Sequence, residues 1–343
     1  MPVKYASFAL HVAALAFGAV VAACGSDEAP AAGEEVESTA HTGSSTSTGA
    51  GAGGGASGAT TGAGGSGGEG GSMPTNNGFP AAWPDGTACG TEPDVFVWEY
   101  DADTFILRQS LCTHYEGPFF YLLFGDDKVL LEDTGTGDVD LAGTVLGLVA
   151  NWLEKNGKSS IELVVSHSHG HGDHVGGDSQ FAGLAGVTVV GKSASSVQDF
   201  FGLADWPDGA ATYDLGGRVL DVLPIPGHQS AHIALYDRRS RLLLTGDTLY
   251  PGRLYIEDWS AYAASVGRLR AFVEAGNPVD WALGTHIEMK ASGGDFALGS
   301  DQHPNEHVLQ LGPSVLSELA DACEAMGSSP SYEEHADFIL YPL

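Results

Sequence analysis

The sequence predicts an α/β sandwich over residues 76–343, with two mixed β-sheets face to face and helices on the outside. Two observations carry this. Strand-length apolar runs come first as hairpins and then alternate with helix-length amphipathic runs, a pattern that layers helices over sheets. Several of the later strand-like runs also end in histidine or aspartate, which places chemistry at one edge of the sheets.

VFVWEY and FILRQS flank the turn DADT and read as a hairpin. FFYLLFG, DDK and VLLEDTG read as a second. LAGTVLGLVANWLEKNG has helical apolar spacing and stops at Asn156-Gly157. IELVVSH is a short apolar strand, and VTVVGK another after a short helix-like stretch. RVLDVLPIPG, HIALYD and RLLLTGD are three more strands, and WALGTH a later one. WSAYAASVGRLRAFVEAG is an amphipathic helix, and NEHVLQLGPSVLSELADACEAMG reads as helical throughout.

Residues 1–23 differ from all of this. One lysine, an apolar stretch and small residues lead to Cys24, as in a secretory signal. VAAC resembles a bacterial lipobox, which implies cleavage before Cys24, its lipidation, and an exported cell-envelope protein that meets the membrane only through that anchor. Residues 24–75 are Gly, Ala, Ser, Thr and Glu with almost nothing to bury, and read as a disordered linker. Of the remaining cysteines, Cys89 and Cys112 could pair in an oxidising compartment, leaving Cys323 as a buried thiol.

Lys and Arg total 14 against 44 Asp and Glu, a formal net charge of −30. Phosphate backbones are bound by Lys and Arg, so a nucleic-acid partner is excluded in favour of a small molecule.

SHSHGHGDH, Ser166 to His174, holds four histidines and an aspartate. Neutral imidazole is the commonest metal ligand. A biased tract would not be matched at later strand ends, yet IPGH supplies His228, LLTGD supplies Asp247 and LGTH supplies His286. Rigid strands fix the loops that follow them, so strand ends suit ligands.

H-x-H-x-D-H at 169–174, then P-G-H, T-G-D and G-T-H, resembles the metallo-β-lactamase superfamily, as does the earlier Asp133-Thr134-Gly135. The resemblance covers residues 95–300 and implies an αββα sandwich. It assigns His169, His171 and His228 to one metal ion, Asp173, His174 and His286 to a second, and Asp247 to both. The implied cofactors are two divalent ions, zinc first, with iron or manganese also suited to such mixed donors. The implied reaction is attack of hydroxide, held by the metals, on the carbonyl of a thioester, ester, lactone or amide. Asp173 is then also a candidate to orient that hydroxide and pass on its proton. Asp133 is expected to hydrogen-bond to the site rather than ligate. His232 is a candidate either to support the ligands from behind or to line the pocket. Tyr255, Arg253, His114 and Tyr115 are weaker substrate-side candidates, and His303 and His307 are expected at the surface. His167 is not expected to be a ligand.

Asp247 resembles the bridging residue of glyoxalase II, and true metallo-β-lactamases bring no aspartate from that position. No Lys or Arg follows Lys290, which counts against glutathione thioesters. Three alternatives remain: an oxidoreductase resembling persulfide dioxygenases with one iron, a β-lactamase, and a non-catalytic metal-binding or adhesion protein.

Overall fold

A computed structural model describes residues 78–343, together with the backbone of Thr75 and Asn76. The expected signal segment, the lipidation site at Cys24 and nearly all of the linker lie outside the described residues.

Strands β1 (Thr75–Asn76) and β2 (Phe79–Pro80) pair as a short ribbon. The first six-stranded sheet follows: β3 (Val95–Asp101), β4 (Thr104–Gln109), β5 (Phe119–Phe124), β6 (Lys128–Glu132), β7 (Glu162–Ser166) and β8 (Val187–Val189), side by side in that order. It is antiparallel as far as β6 and parallel from β6 to β8. Helix α1 (Leu141–Lys155) makes the first crossover, and the short α2 (Gly172–Val175) and α3 (Asp178–Phe181) lie in the second. After α4 (Ala194–Phe201) come β9 (Ala211–Asp214), β10 (Val219–Pro224), β11 (Ile233–Asp237) and β12 (Leu242–Gly246). Next are β13 (Arg253–Ile256), α5 (Trp259–Glu274), β14 (Trp281–Gly284), β15 (Gln310–Leu311), α6 (Pro313–Met326), β16 (Glu333–Glu334) and β17 (Ile339–Pro342). The second six-stranded sheet runs β15-β14-β12-β11-β10-β9, and β13, β17 and β16 form a small third sheet.

The two-residue period of the strands sorts the core into three layers. Along β5, Phe119, Tyr121 and Leu123 face the second sheet, while Phe120, Leu122 and Phe124 face α1. Along β11, Ile233 and Leu235 point between the sheets, while Ala234 and Tyr236 point to α5 and α6. Both strands are buried on both faces, so they read as continuous apolar runs. Leu141, Val145, Val149 and Trp152 form the buried stripe of α1. Its first turn is capped by Asp140, which accepts from the Gly143 amide at 2.9 Å. The arrangement is the expected αββα sandwich.

The last helix is shorter than its sequence suggests. It starts at Pro313, because Gln310 and Leu311 are drawn into an edge pairing with β14. Proline suits the first helical turn but not an interior one. Helix α4 and strands β9, β13, β16 and β17 carry too little periodic signal to be legible, and all four of these strands are four residues or fewer beside loops.

Cys89 and Cys112 are disulfide-bonded and close a loop with a sequence separation of 23. By loop-closure entropy that link stabilises the fold by about 3 kcal/mol. Cys323 is free and buried, and burial pushes its thiol up to about 12. Among the described residues, no helix is long and apolar enough to cross a membrane.

Candidate metal centre

Strand direction explains why distant segments meet. β10 and β12 are both antiparallel to β11, and β12 is parallel to β14, so these three strands end at the same edge of their sheet. β6 and β7 are parallel and end together in the facing sheet. Asp133 follows β6, the histidine-rich loop follows β7, and His228, Asp247 and His286 follow β10, β12 and β14. The turn before His228 needs glycine. Gly227 has φ +142°, and a Cβ there would lie 2.3 Å from the Tyr262 Cα in α5.

Seven of the expected residues fall into two groups: His169, His171 and His228, and Asp173, His174, Asp247 and His286. In the first, His169 Nε2 lies 3.0 Å from His171 Nδ1 and 3.1 Å from His228 Nε2, and the last two atoms are 3.0 Å apart. In the second, His174 Nε2 and His286 Nε2 stand 3.1 and 3.3 Å from Asp173 Oδ2. Asp247 reaches both groups. Its Oδ2 is 3.4 Å from His228, 3.8 Å from His169 and 3.5 Å from His174, and its Oδ1 is 3.5 Å from His286. Thr285 donates a hydrogen bond to that carboxylate.

The outer nitrogens identify the purpose of the inner ones. A ligating histidine gives its other N–H to an oxygen, which fixes tautomer and ring direction. His174 Nδ1 faces Asp133 Oδ2 at 2.9 Å, His228 Nδ1 faces the Tyr255 carbonyl at 2.6 Å, and His286 Nδ1 faces the Glu116 carbonyl at 3.0 Å. His169 Nδ1 faces the Ser168 hydroxyl at 3.1 Å, which itself donates to Asp133 at 2.8 Å. His171 turns its Nε2 toward Glu257 at 3.5 Å. Every inner nitrogen therefore keeps a lone pair for the interior. Tetrahedral nitrogen ligands at 2.0–2.1 Å from zinc stand about 3.3 Å apart, close to the separations in the first group.

The electrostatics favour a cation. Burial pushes His169 and His228 down, keeping them neutral. Burial works against the charge of Asp247 and Asp173, but the neighbouring histidines hold both carboxyls well below the usual range. Burial likewise opposes a proton on His286, yet Asp247 and Asp173 outweigh it and push that group up to about 10. The field that draws a proton there draws a metal ion equally, and ion binding displaces the proton. His174 Nε2 is buried and makes no hydrogen bond of its own. The donor set fits two divalent ions.

The other expectations divide. Asp133 is fully buried and accepts from the Ser168 amide and hydroxyl and from His174 Nδ1. His232 does not line a pocket. It is fully buried, with ring centroids 4.7 Å from His169 and its Nδ1 3.3 Å from the Thr248 hydroxyl, so substrate cannot reach it. Arg253 is not free for substrate either, because Glu288 at 3.0 Å and Asp295 at 2.6 Å pair with it. His303 is not a surface residue. It stacks on Phe296 at 4.2 Å and bonds the Ile287 carbonyl at 3.1 Å. His307 pairs with Asp337 at 3.0 Å, and His167 with Asp178 at 2.8 Å. His114 stacks on the exposed Tyr115 at 4.7 Å. Ser168, Thr285 and Glu257 were not anticipated. Ser168 sits inside the histidine motif and Thr285 within LGTH, whereas Glu257 follows a strand the pattern does not reveal.

Residues 116–286 match the model of the metallo-beta-lactamase superfamily. The chain belongs to that superfamily. Among curated relatives, the hydroxyacylglutathione hydrolase of Methylococcus capsulatus is 34% identical over 165 residues, covering 47% of this chain and 59% of that protein. The corresponding enzyme of Ectopseudomonas mendocina is 36% identical over 106 residues, covering 30% and 39%. The chain thus spans 39% to 59% of the length of these curated relatives. A solved metallo-beta-lactamase from Pontibacter korlensis aligns over 67% of this chain and 99% of its own, with 18% identity and a TM-score of 0.46.

Proposed function

We propose that this superfamily member is a hydrolase with two metal ions that cleaves an acyl bond: a thioester, ester, lactone or amide. The observation that carries it is the sorting of seven donors into two groups that share Asp247. The named activity of the curated relatives, hydrolysis of a hydroxyacylglutathione, supports the reaction type.

Two divalent ions, zinc foremost, would acidify a water molecule and offset negative charge on the attacked carbonyl oxygen. His169, His171 and His228 would hold one, Asp173, His174 and His286 the other, with Asp247 between them. The protein's own part is orientation. Asp133, Ser168, Glu257 and the carbonyls of Tyr255 and Glu116 keep every inner nitrogen aimed inward. Asp173 is more open than Asp247, at 21% against 8% exposure, and its contacts to both histidines run through Oδ2. Its Oδ1 is therefore available to take the proton of the attacking water and deliver it to the leaving group.

Residues 1–24 support export and a lipid anchor at Cys24, and the Cys89–Cys112 link suits an oxidising compartment. The reading is tested by assaying the purified protein on thioesters, esters, lactones, amides and β-lactams, with metal content measured on the same sample. Turnover of one acyl class that stops with chelator, at two metals per chain, is expected. A single iron with oxygen consumption would instead make it an oxidoreductase.

A further inference from the structure

The third sheet builds something that the metal centre does not use. β13 and β17 run parallel, with Tyr255 beside Tyr341 and ring centroids 5.0 Å apart. Tyr332 continues the row, 6.0 Å from Tyr341. The row starts at the metal centre, since the Tyr255 carbonyl holds His228. Tyr115, Arg253 and Leu298 line one crevice together with Glu116, whose carbonyl holds His286.

These side chains remain open to solvent: Tyr115 is 41% exposed, Tyr332 56%, Tyr341 37% and Leu298 75%. Exposed apolar groups gathered at the mouth of a polar site mark a ligand surface. Four tyrosines add flat, stiff faces with a polar tip, which suits a ring or chain of an organic substrate.

The charges beside this surface exclude an anionic carrier. Arg253 is spent on Glu288 and Asp295. Lys290 gives its ammonium to the Asp295 carbonyl, and Lys192 lies 3.5 Å from Asp178. Glu116 and Glu288 line the Tyr115 crevice, and Glu257 stands 3.5 Å from His171, in a chain of net charge −30. A substrate with two free carboxylates would meet no unpaired guanidinium here to replace its lost hydration.

We propose that the row Tyr255, Tyr341 and Tyr332 is the acyl-group subsite, with Tyr115 a separate exposed face beside Glu116, and that the substrate is an uncharged ester or thioester with an aromatic or extended apolar acyl chain. This rests on the hydrolase reading and departs from the glutathione thioester named for the curated relatives. Hydrolysis breaks the acyl C–O or C–S bond, with water supplying the hydroxyl of the acid and the proton of the alcohol or thiol.

The test uses the full chain loaded with zinc, with both ions verified. Ethyl and S-ethyl esters of 3-phenylpropanoate are compared with the matching acetates and with S-lactoylglutathione. The phenylpropanoyl compounds should exceed the acetates in kcat/KM by ~10-fold or more, the discrimination a hydrophobic pocket supplies. S-lactoylglutathione should be the poorest of the thioesters. In Tyr332→Ala, and in Tyr332→Ala combined with Tyr341→Ala, the preference should collapse toward unity through KM. Thermal melting verifies that each variant is folded, and Tyr332 is exposed enough to be replaced safely. A preference for S-lactoylglutathione, or an unchanged acyl preference in folded variants, overturns the subsite and leaves the hydrolase reading standing. No turnover of any of these compounds also overturns the subsite, and if lactones and β-lactams are inert as well the hydrolase reading falls with it.

Discussion

Asp247→Ala is expected to lose activity and metal together. The carboxylate lies within 4 Å of ring nitrogens from both clusters: His169 and His228 on one side, His174 and His286 on the other. With two ions held as proposed, removing it would leave each short of a ligand and the pair without a shared charge. The loss in kcat/KM should exceed the ~100-fold that removing a supporting partner costs at most. Metal content should fall below two per chain in the same preparation. The fold should survive, because Asp247 supports little except the Thr285 hydroxyl. Full activity with both ions retained would remove Asp247 from the bridging position.

Asp133→Asn is the sharper test of how the ligands are held. Asp133 is fully buried at φ +70°, a conformation that asparagine tolerates better than most residues. Its oxygens accept from the Ser168 amide at 2.7 Å, the Ser168 hydroxyl at 2.8 Å and His174 Nδ1 at 2.9 Å. Asparagine preserves the shape but points an NH2 at one of these donors. The Ser168 hydroxyl then turns, or His174 changes tautomer and loses the lone pair on Nε2. Competition against a chelator should show the second ion bound ~10–100-fold more weakly, with activity falling in step. Unfolding should cost about 1–3 kcal/mol less, since a buried donor is left unpaired. Unchanged affinity at both positions would mean that Asp133 is a packing residue only.

Much of this arrangement is legible in the amino-acid order. Strands buried on both faces, such as FFYLLF and HIALYD, announce themselves as apolar runs, and the glycine-rich histidine loop is unmistakable. What eludes the pattern depends on tertiary context. Gln310 and Leu311 look helical until β14 offers an edge, and Pro313 then sets where α6 begins. Arg253 and His232 sit near the motifs in sequence and look available for substrate. Glu288 and Asp295 claim the first, and the core claims the second. Tyr341 and Tyr332 carry no motif. The parallel pairing of β17 with β13 sets Tyr341 beside Tyr255, and Tyr332 packs on Tyr341, across a separation that no local period records.

The proposed function requires two ions sharing one carboxylate. Anomalous diffraction at the zinc edge, on crystals of the zinc-loaded protein, tests it most directly. Two peaks about 3.5–4 Å apart are predicted, one among His169, His171 and His228 and one among Asp173, His174 and His286, with Asp247 between them. One peak alone in the zinc-saturated protein, or two peaks with Asp247 turned away from both, would contradict it.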